Sequence, residues 1–232
     1  MSIQERYNEI LERKNAAAIR SGRKPEEVTL MAVTKTHPAS QLNEVIDAGA
    51  TDIGENKVQE VLEKYEDVKP VRWHLIGHLQ TNKVKSIVDK VVMIHSVDSL
   101  HLAKEINKRS AAIGKTMDVL IEINSAMEET KSGIAADEFK NLVEEIVSEC
   151  PNVRICGLMC IPPMAATPED NRPYFRQARE MFEDMKTWDL AKEQFAPTVL
   201  SMGMSGDFEV AIEEGATIVR VGSSIFGPRN YR

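Results

Sequence analysis

The sequence predicts a (β/α)8 TIM barrel, one domain over residues 1–232 with an extra N-terminal helix. Eight short apolar runs alternate with seven amphipathic stretches, the pattern of parallel strands joined by crossover helices. No linker, low-complexity tract or shift in composition divides the chain. Its 232 residues lie within the range of single-domain α/β barrels. An open, doubly wound sheet is the alternative arrangement of the same elements.

The opening helix is expected over about 2–21, with Ile10, Leu11 and the Ala16–Ile19 region on one face. Strands follow at 28–34 (VTLMAVT), 51–54 (TDIG), 71–76 (VRWHLI) and 91–96 (VVMIHS). The other four are 118–123 (DVLIEI), 154–160 (RICGLMC), 197–201 (PTVLS) and 218–222 (IVRVG). Helical patterns fill 39–48, 55–66, 82–89, 98–113, 135–149, 169–187 and 206–214. Cap chemistry opens two of them, at Ser96-Val97-Asp98-Ser99 and Ser205-Gly206-Asp207. The prolines of CIPPMAATPEDNRP (160–173) exclude a continuous helix and predict a loop over one face, with a helix starting near Pro173. The charged faces of 55–66 and 138–149 read as solvated.

A formal net charge of −7 and a pI near 5.4 argue against nucleic acid or an anionic membrane as the main partner. No run approaches the roughly 18 apolar residues that cross a bilayer, and MSIQERYNEILERK lacks a signal peptide's apolar segment. Cys150, Cys156 and Cys160 are odd in number and lack CxxC spacing, so they read as reduced, buried thiols of a cytoplasmic protein.

In a barrel the site lies at the C-terminal ends of the strands, so the polar residues there are the functional candidates. The first apolar run ends in Lys35, a residue rarely chosen to close such a strand and able, once desolvated, to attack an aldehyde. The second leads into GENKVQE (54–60) with Asn56, and the third into HLIGHLQTNK (74–83) with His78. Lys131 follows the fifth. His74 and His78 mimic a metal pair by their i,i+4 spacing, but Gly77 and the missing third ligand favour packing and hydrogen bonding. The last two runs end in SMGMSGD (201–207) and RVGSS (220–224), hydroxyls and glycines suited to an anion, where barrels commonly hold phosphate. Arg220 alternates with Val219 and Val221 and is expected inside the barrel, facing a carboxylate or a ligand ring nitrogen.

Taken together, AVTKTHP, GENKVQE, WHLIGHLQTNK, HSVDS, INSAMEETKSG, GLMCIPP, LSMGMSGD and IVRVGSSIFG resemble, in order and over nearly the whole chain, the YggS/PROSC family of pyridoxal 5′-phosphate (PLP) homeostasis proteins. The resemblance implies a barrel like the N-terminal domain of alanine racemase, with PLP held as an aldimine on Lys35. Ser201 and Ser205, with Gly222 and Ser223, match the phosphate-binding loops. Arg220 matches the arginine facing the pyridine nitrogen, Asn56 a residue near the ring, and His78 and Lys131 positions at the mouth. Many relatives carry threonine where this chain has Ser223.

Alanine racemase adds a β-domain and a tyrosine base that have no counterpart before Arg232; Tyr231 is expected to pack on the barrel or to fray. The implied role is a non-catalytic PLP carrier or buffer, a monomer or weak dimer, passing PLP to apo PLP-dependent enzymes. A racemase of low activity and a cofactor-free Schiff-base aldolase are the alternatives.

Overall fold

The computed structural model describes residues 1–124 and 133–227. Eight strands close into an all-parallel barrel in sequence order. They are β1 (Thr29–Val33), β2 (Asp52–Glu55), β3 (Arg72–Leu75), β4 (Met93–Val97), β5 (Met117–Ile123), β6 (Val153–Cys160), β7 (Phe195–Ser201) and β8 (Ile218–Val221). Closure is made by β1 against β8, with Thr29 opposite Ile218 and Met31 opposite Arg220.

Around the barrel run α1 (Ile3–Arg20), α2 (Ala39–Asp47), α3 (Val58–Lys64), α4 (Leu100–Ala111), α5 (Phe139–Glu149), α6 (Arg172–Met185), α7 (Phe208–Glu213) and α8 (Ser223–Phe226). Ser2 caps α1 in a reciprocal box with Glu5, so this helix begins where its first free amides find acceptors. Ser99 caps α4 through the Leu102 amide. The expected helix at 82–89 is instead a 3-10 helix, Thr81–Ser86. That tighter winding rises about 2 Å per residue and spans the short β3–β4 return with fewer residues. The short α8 after β8 was not anticipated.

Strand alternation sorts the apolar residues into two populations. Outward residues such as Leu30, Ile53, Leu75, Val119 and Val219 pack with the helices in one large core. Inward residues form two small clusters, Met31–Val33–Ile76–Ile218 and Met93–Leu120–Cys156–Met159. The remaining interior is polar, and the inward parity of β1, β2, β3, β5 and β8 carries upward to Lys35, Asn56, His78, Glu122 and Arg220. Gly54 takes an inward position where a Cβ would lie 2.7 Å from the Met31 sulfur.

The face of 138–149 is exposed as expected, but that of 55–66 is not wholly so. Glu55 and Lys64 are buried between β2 and α3, because Glu55 is an outward residue beneath the helix and Lys64 reaches back to it at 2.7 Å. The three cysteines are buried and form no disulfide with one another. No helix among the described residues is long and apolar enough to cross a membrane.

Candidate functional site

A cleft of about 400 Å³ opens at the C-terminal end of the barrel. Lys35, Asn56, His78, Ser205, Arg220, Gly222 and Ser223 all line it, from five different strand ends. Val33, Ile76, Ile161 and Met204 supply its apolar wall. Ile161 comes from the proline-rich segment after β6, so that segment does border the site. Lys131 and Tyr231 lie outside the described residues.

The β7 and β8 loops meet at one side. Ser205 Oγ accepts from the Gly222 amide at 3.2 Å and the Ser224 amide at 3.4 Å, so two main-chain donors converge beside the cleft. The expected cap of α7 by this loop is absent. The Asp207 carboxylate turns back to accept from the Met204 amide at 2.7 Å and from Asn171 Nδ2 at 2.8 Å, fixing the loop rather than the helix. Gly203, at φ +89°, makes the turn; a Cβ there would strike the Ala211 methyl and the Phe208 backbone. Gly77 is required for a different reason. A Cβ at this position would overlap the main chain of Asn56, so the two loop ends that carry Asn56 and His78 pack backbone to backbone.

Ser201 does not line this cleft with Ser205. It is buried inside the barrel, where its hydroxyl accepts from Arg220 Nη1 at 2.8 Å and lies 3.1 Å from His95 Nδ1. From there a polar chain descends the interior: His95 Nε2 to His74 Nδ1 at 3.0 Å, then His74 Nε2 to Asp52 Oδ1 at 2.8 Å. Arginine can only donate and a carboxylate can only accept. One proton per ring therefore satisfies every link, with Arg220 donating to Ser201, Ser201 to His95, His95 to His74, and His74 to Asp52.

Burial, with His74 and Arg220 nearby, holds the His95 pKa well below the ordinary histidine value. For Asp52 burial acts upward, but hydrogen bonds from His74, Arg72 and Thr51 outweigh it and bring the pKa to about 2. Arg220 is 3% exposed and also donates to the Cys160 carbonyl at 3.0 Å. The acceptors expected for it were a carboxylate or a ligand. The barrel supplies a hydroxyl and a carbonyl.

Glu122, His95 and Asp52 were not among the candidates read from the sequence. Glu122, inward at the end of β5, lines the cleft, and burial raises its pKa to about 7, with Asp98 adding and Arg220 opposing. The available signal was its parity with Leu120 in DVLIEI. His95 carried a similar signal, as an inward residue of VVMIHS.

The chain matches the family described as "Alanine racemase, N-terminal domain" over residues 12–230. It is also 48% identical, over the full length of both chains, to the "Pyridoxal phosphate homeostasis protein" of Aquifex aeolicus. The chain belongs to the pyridoxal phosphate homeostasis family of alanine racemase N-terminal domains. Within that family it is similar to PipY of Synechococcus elongatus, solved with PLP bound. That likeness is at 35% identity and TM-score 0.75, covering 94% of this chain and 100% of PipY. Alanine racemase from Streptomyces lavendulae shares the fold, at 18% identity and TM-score 0.73 over 97% of this chain and 58% of that enzyme.

Proposed function

We propose that this protein binds PLP and acts in its homeostasis, holding the cofactor through Lys35 as a Schiff base and yielding it to apo PLP-dependent enzymes. The observation that carries this reading is the convergence, on one cleft, of an amine, a buried guanidinium and a pair of main-chain amides.

The residues fit the three ends of such a ligand. A phosphate would take over the Gly222 and Ser224 amides that now donate to the Ser205 hydroxyl, with the Ser205 and Ser223 hydroxyls free to donate beside them, and needs no net positive charge. Lys35 continues the inward row of Met31 and Val33, so its amine reaches the cleft from β1. Arg220 offers a permanent positive donor on the cleft floor, held by Ser201 and the Cys160 carbonyl. Bound PLP supplies an aldehyde that condenses reversibly with an amine, releasing water. A guanidinium facing its ring nitrogen disfavours protonation there and weakens the ring as an electron sink. Arg220 therefore favours holding the aldehyde over using it. Relatives named for PLP homeostasis, and PipY with PLP bound, support the same reading.

The experiment is borohydride reduction of the protein with PLP, followed by peptide mapping. Reduction should fix one cofactor on Lys35, and Lys35→Ala should lose both the adduct and the visible absorbance of the complex. An adduct of equal yield on another residue in Lys35→Ala would sink the assignment.

A further inference from the structure

We infer that Glu60 and Lys64, with Glu55, are positioning residues for Lys35. Together they clamp the backbone on both sides of that lysine and hold its amine toward the cleft. This rests on the reading of Lys35 as the PLP-bearing residue.

Thr36, next to Lys35, has φ +67°, the one non-glycine positive φ among the described residues. Threonine is β-branched and disfavours this left-handed conformation, so something outside the residue must maintain it. Glu60 does so directly: its Oε2 accepts from the Thr36 amide at 2.6 Å. On the other side of Lys35, the Thr34 carbonyl accepts from Lys64 Nζ at 3.2 Å, and Thr34 Oγ1 donates to Glu55 Oε1 at 2.8 Å. The two anchors are parts of one cluster. Lys64 Nζ lies 2.9 Å from Glu60 Oε2 and 2.7 Å from Glu55 Oε1, and all three side chains are largely buried.

The cluster is an expensive one. Glu55 Oε2 is buried with no hydrogen-bond partner, and three ionisable side chains share a space that apolar residues would fill at less cost. A device used only to attach α3 to the barrel would not need to grip the two neighbours of a single cleft residue. Glu55 and Glu60 also account for the two acidic residues of GENKVQE, a motif from which the cleft itself takes only Asn56.

The test compares wild type, Glu60→Ala, Thr36→Gly and the double variant. Total bound PLP is measured by ultrafiltration, and Lys35-linked PLP by borohydride trapping and mapping. The ratio of trapped to total bound PLP cancels any loss of folded protein. Glycine adopts positive φ without strain, so Thr36→Gly alone should keep the wild-type ratio. Glu60→Ala should lower it about tenfold, on the scale of strain of this kind, and the double variant should return it to within about twofold of wild type. An unchanged ratio in Glu60→Ala, or no recovery in the double variant, overturns the inference. A wild type with bound PLP but no Lys35 adduct overturns the parent reading and this one with it.

Discussion

At the residue scale the two serines of LSMGMSGD separate by where strand alternation sends them. Ser201 is the last inward residue of β7 and bridges Arg220 to His95 in the buried interior. Removing its hydroxyl strands a guanidinium donor and an imidazole acceptor, both on almost wholly buried side chains. Ser201→Ala should therefore lower the unfolding free energy by about 2–3 kcal/mol, the usual cost of unsatisfied buried groups. Ser205 lies at the cleft, where water can reach the amides it leaves, so Ser205→Ala should cost less than about 1 kcal/mol yet weaken PLP binding. Urea unfolding and PLP titration of the two variants check this, and a reversed ranking would return Ser201 to the phosphate loops. The parity that places Arg220 inside was legible from its flanking valines. The same parity is present for Ser201, but the family motif around it points to phosphate instead. Thr36 shows what stays hidden: no local sequence signal says that a threonine will take a left-handed conformation, because the cause is a carboxylate 24 residues away.

At the element scale, strand ends were legible and strand interiors were not. All eight strands lie on the apolar runs, and six of those runs lead into lysine, glycine or serine, which is why the barrel and its site could be read together. Charged groups under helices were hidden because an outward strand residue such as Glu55 reads like part of the following solvated helix. The polar chain inside the barrel was hidden too, since pairing of Asp52, His74 and His95 depends on register between strands. Glu122 on β5 gives the element-scale prediction. Its folded-state pKa, raised to about 7 from an ordinary 4.5, means that the folded protein holds this proton more tightly than the unfolded chain. Its contribution is thus whole below about pH 4.5 and is lost as pH rises through about 7. Glu122→Gln should match wild type near pH 4.5 and exceed its stability at pH 8.5 by up to about 3 kcal/mol, by the size of the shift. Urea unfolding at the two pH values decides it; parallel curves would show that Glu122 is solvated. Asp52 works in the opposite sense, since its lowered pKa gives stability above about pH 4 that is lost as pH falls through about 2.

At the scale of the whole molecule, a chain of net charge −7 would meet the phosphate of the proposed ligand with main-chain amides, and among the described residues its cleft holds a single guanidinium, Arg220. Long-range attraction contributes little under that arrangement, so affinity must come from contacts inside the cleft. A protein that buffers a ligand is stabilised by it through mass action. PLP at about 100 times its dissociation constant should add about 2.7 kcal/mol, which for a chain of this length is roughly 5–10 °C in Tm. A phosphate site at the β7 and β8 loops, as proposed, makes a further demand. Pyridoxal presents the same aldehyde and ring without the phosphate, so at equal concentration it should produce only a small fraction of that shift. Lys35→Ala should keep a measurable part of the PLP shift, because the Gly222 and Ser224 amides and the Arg220 floor remain. Thermal scans of both proteins with both ligands check these expectations together. Equal shifts from PLP and pyridoxal would mean that the β7 and β8 loops do not recognise the phosphate, and that the amine alone sets the affinity.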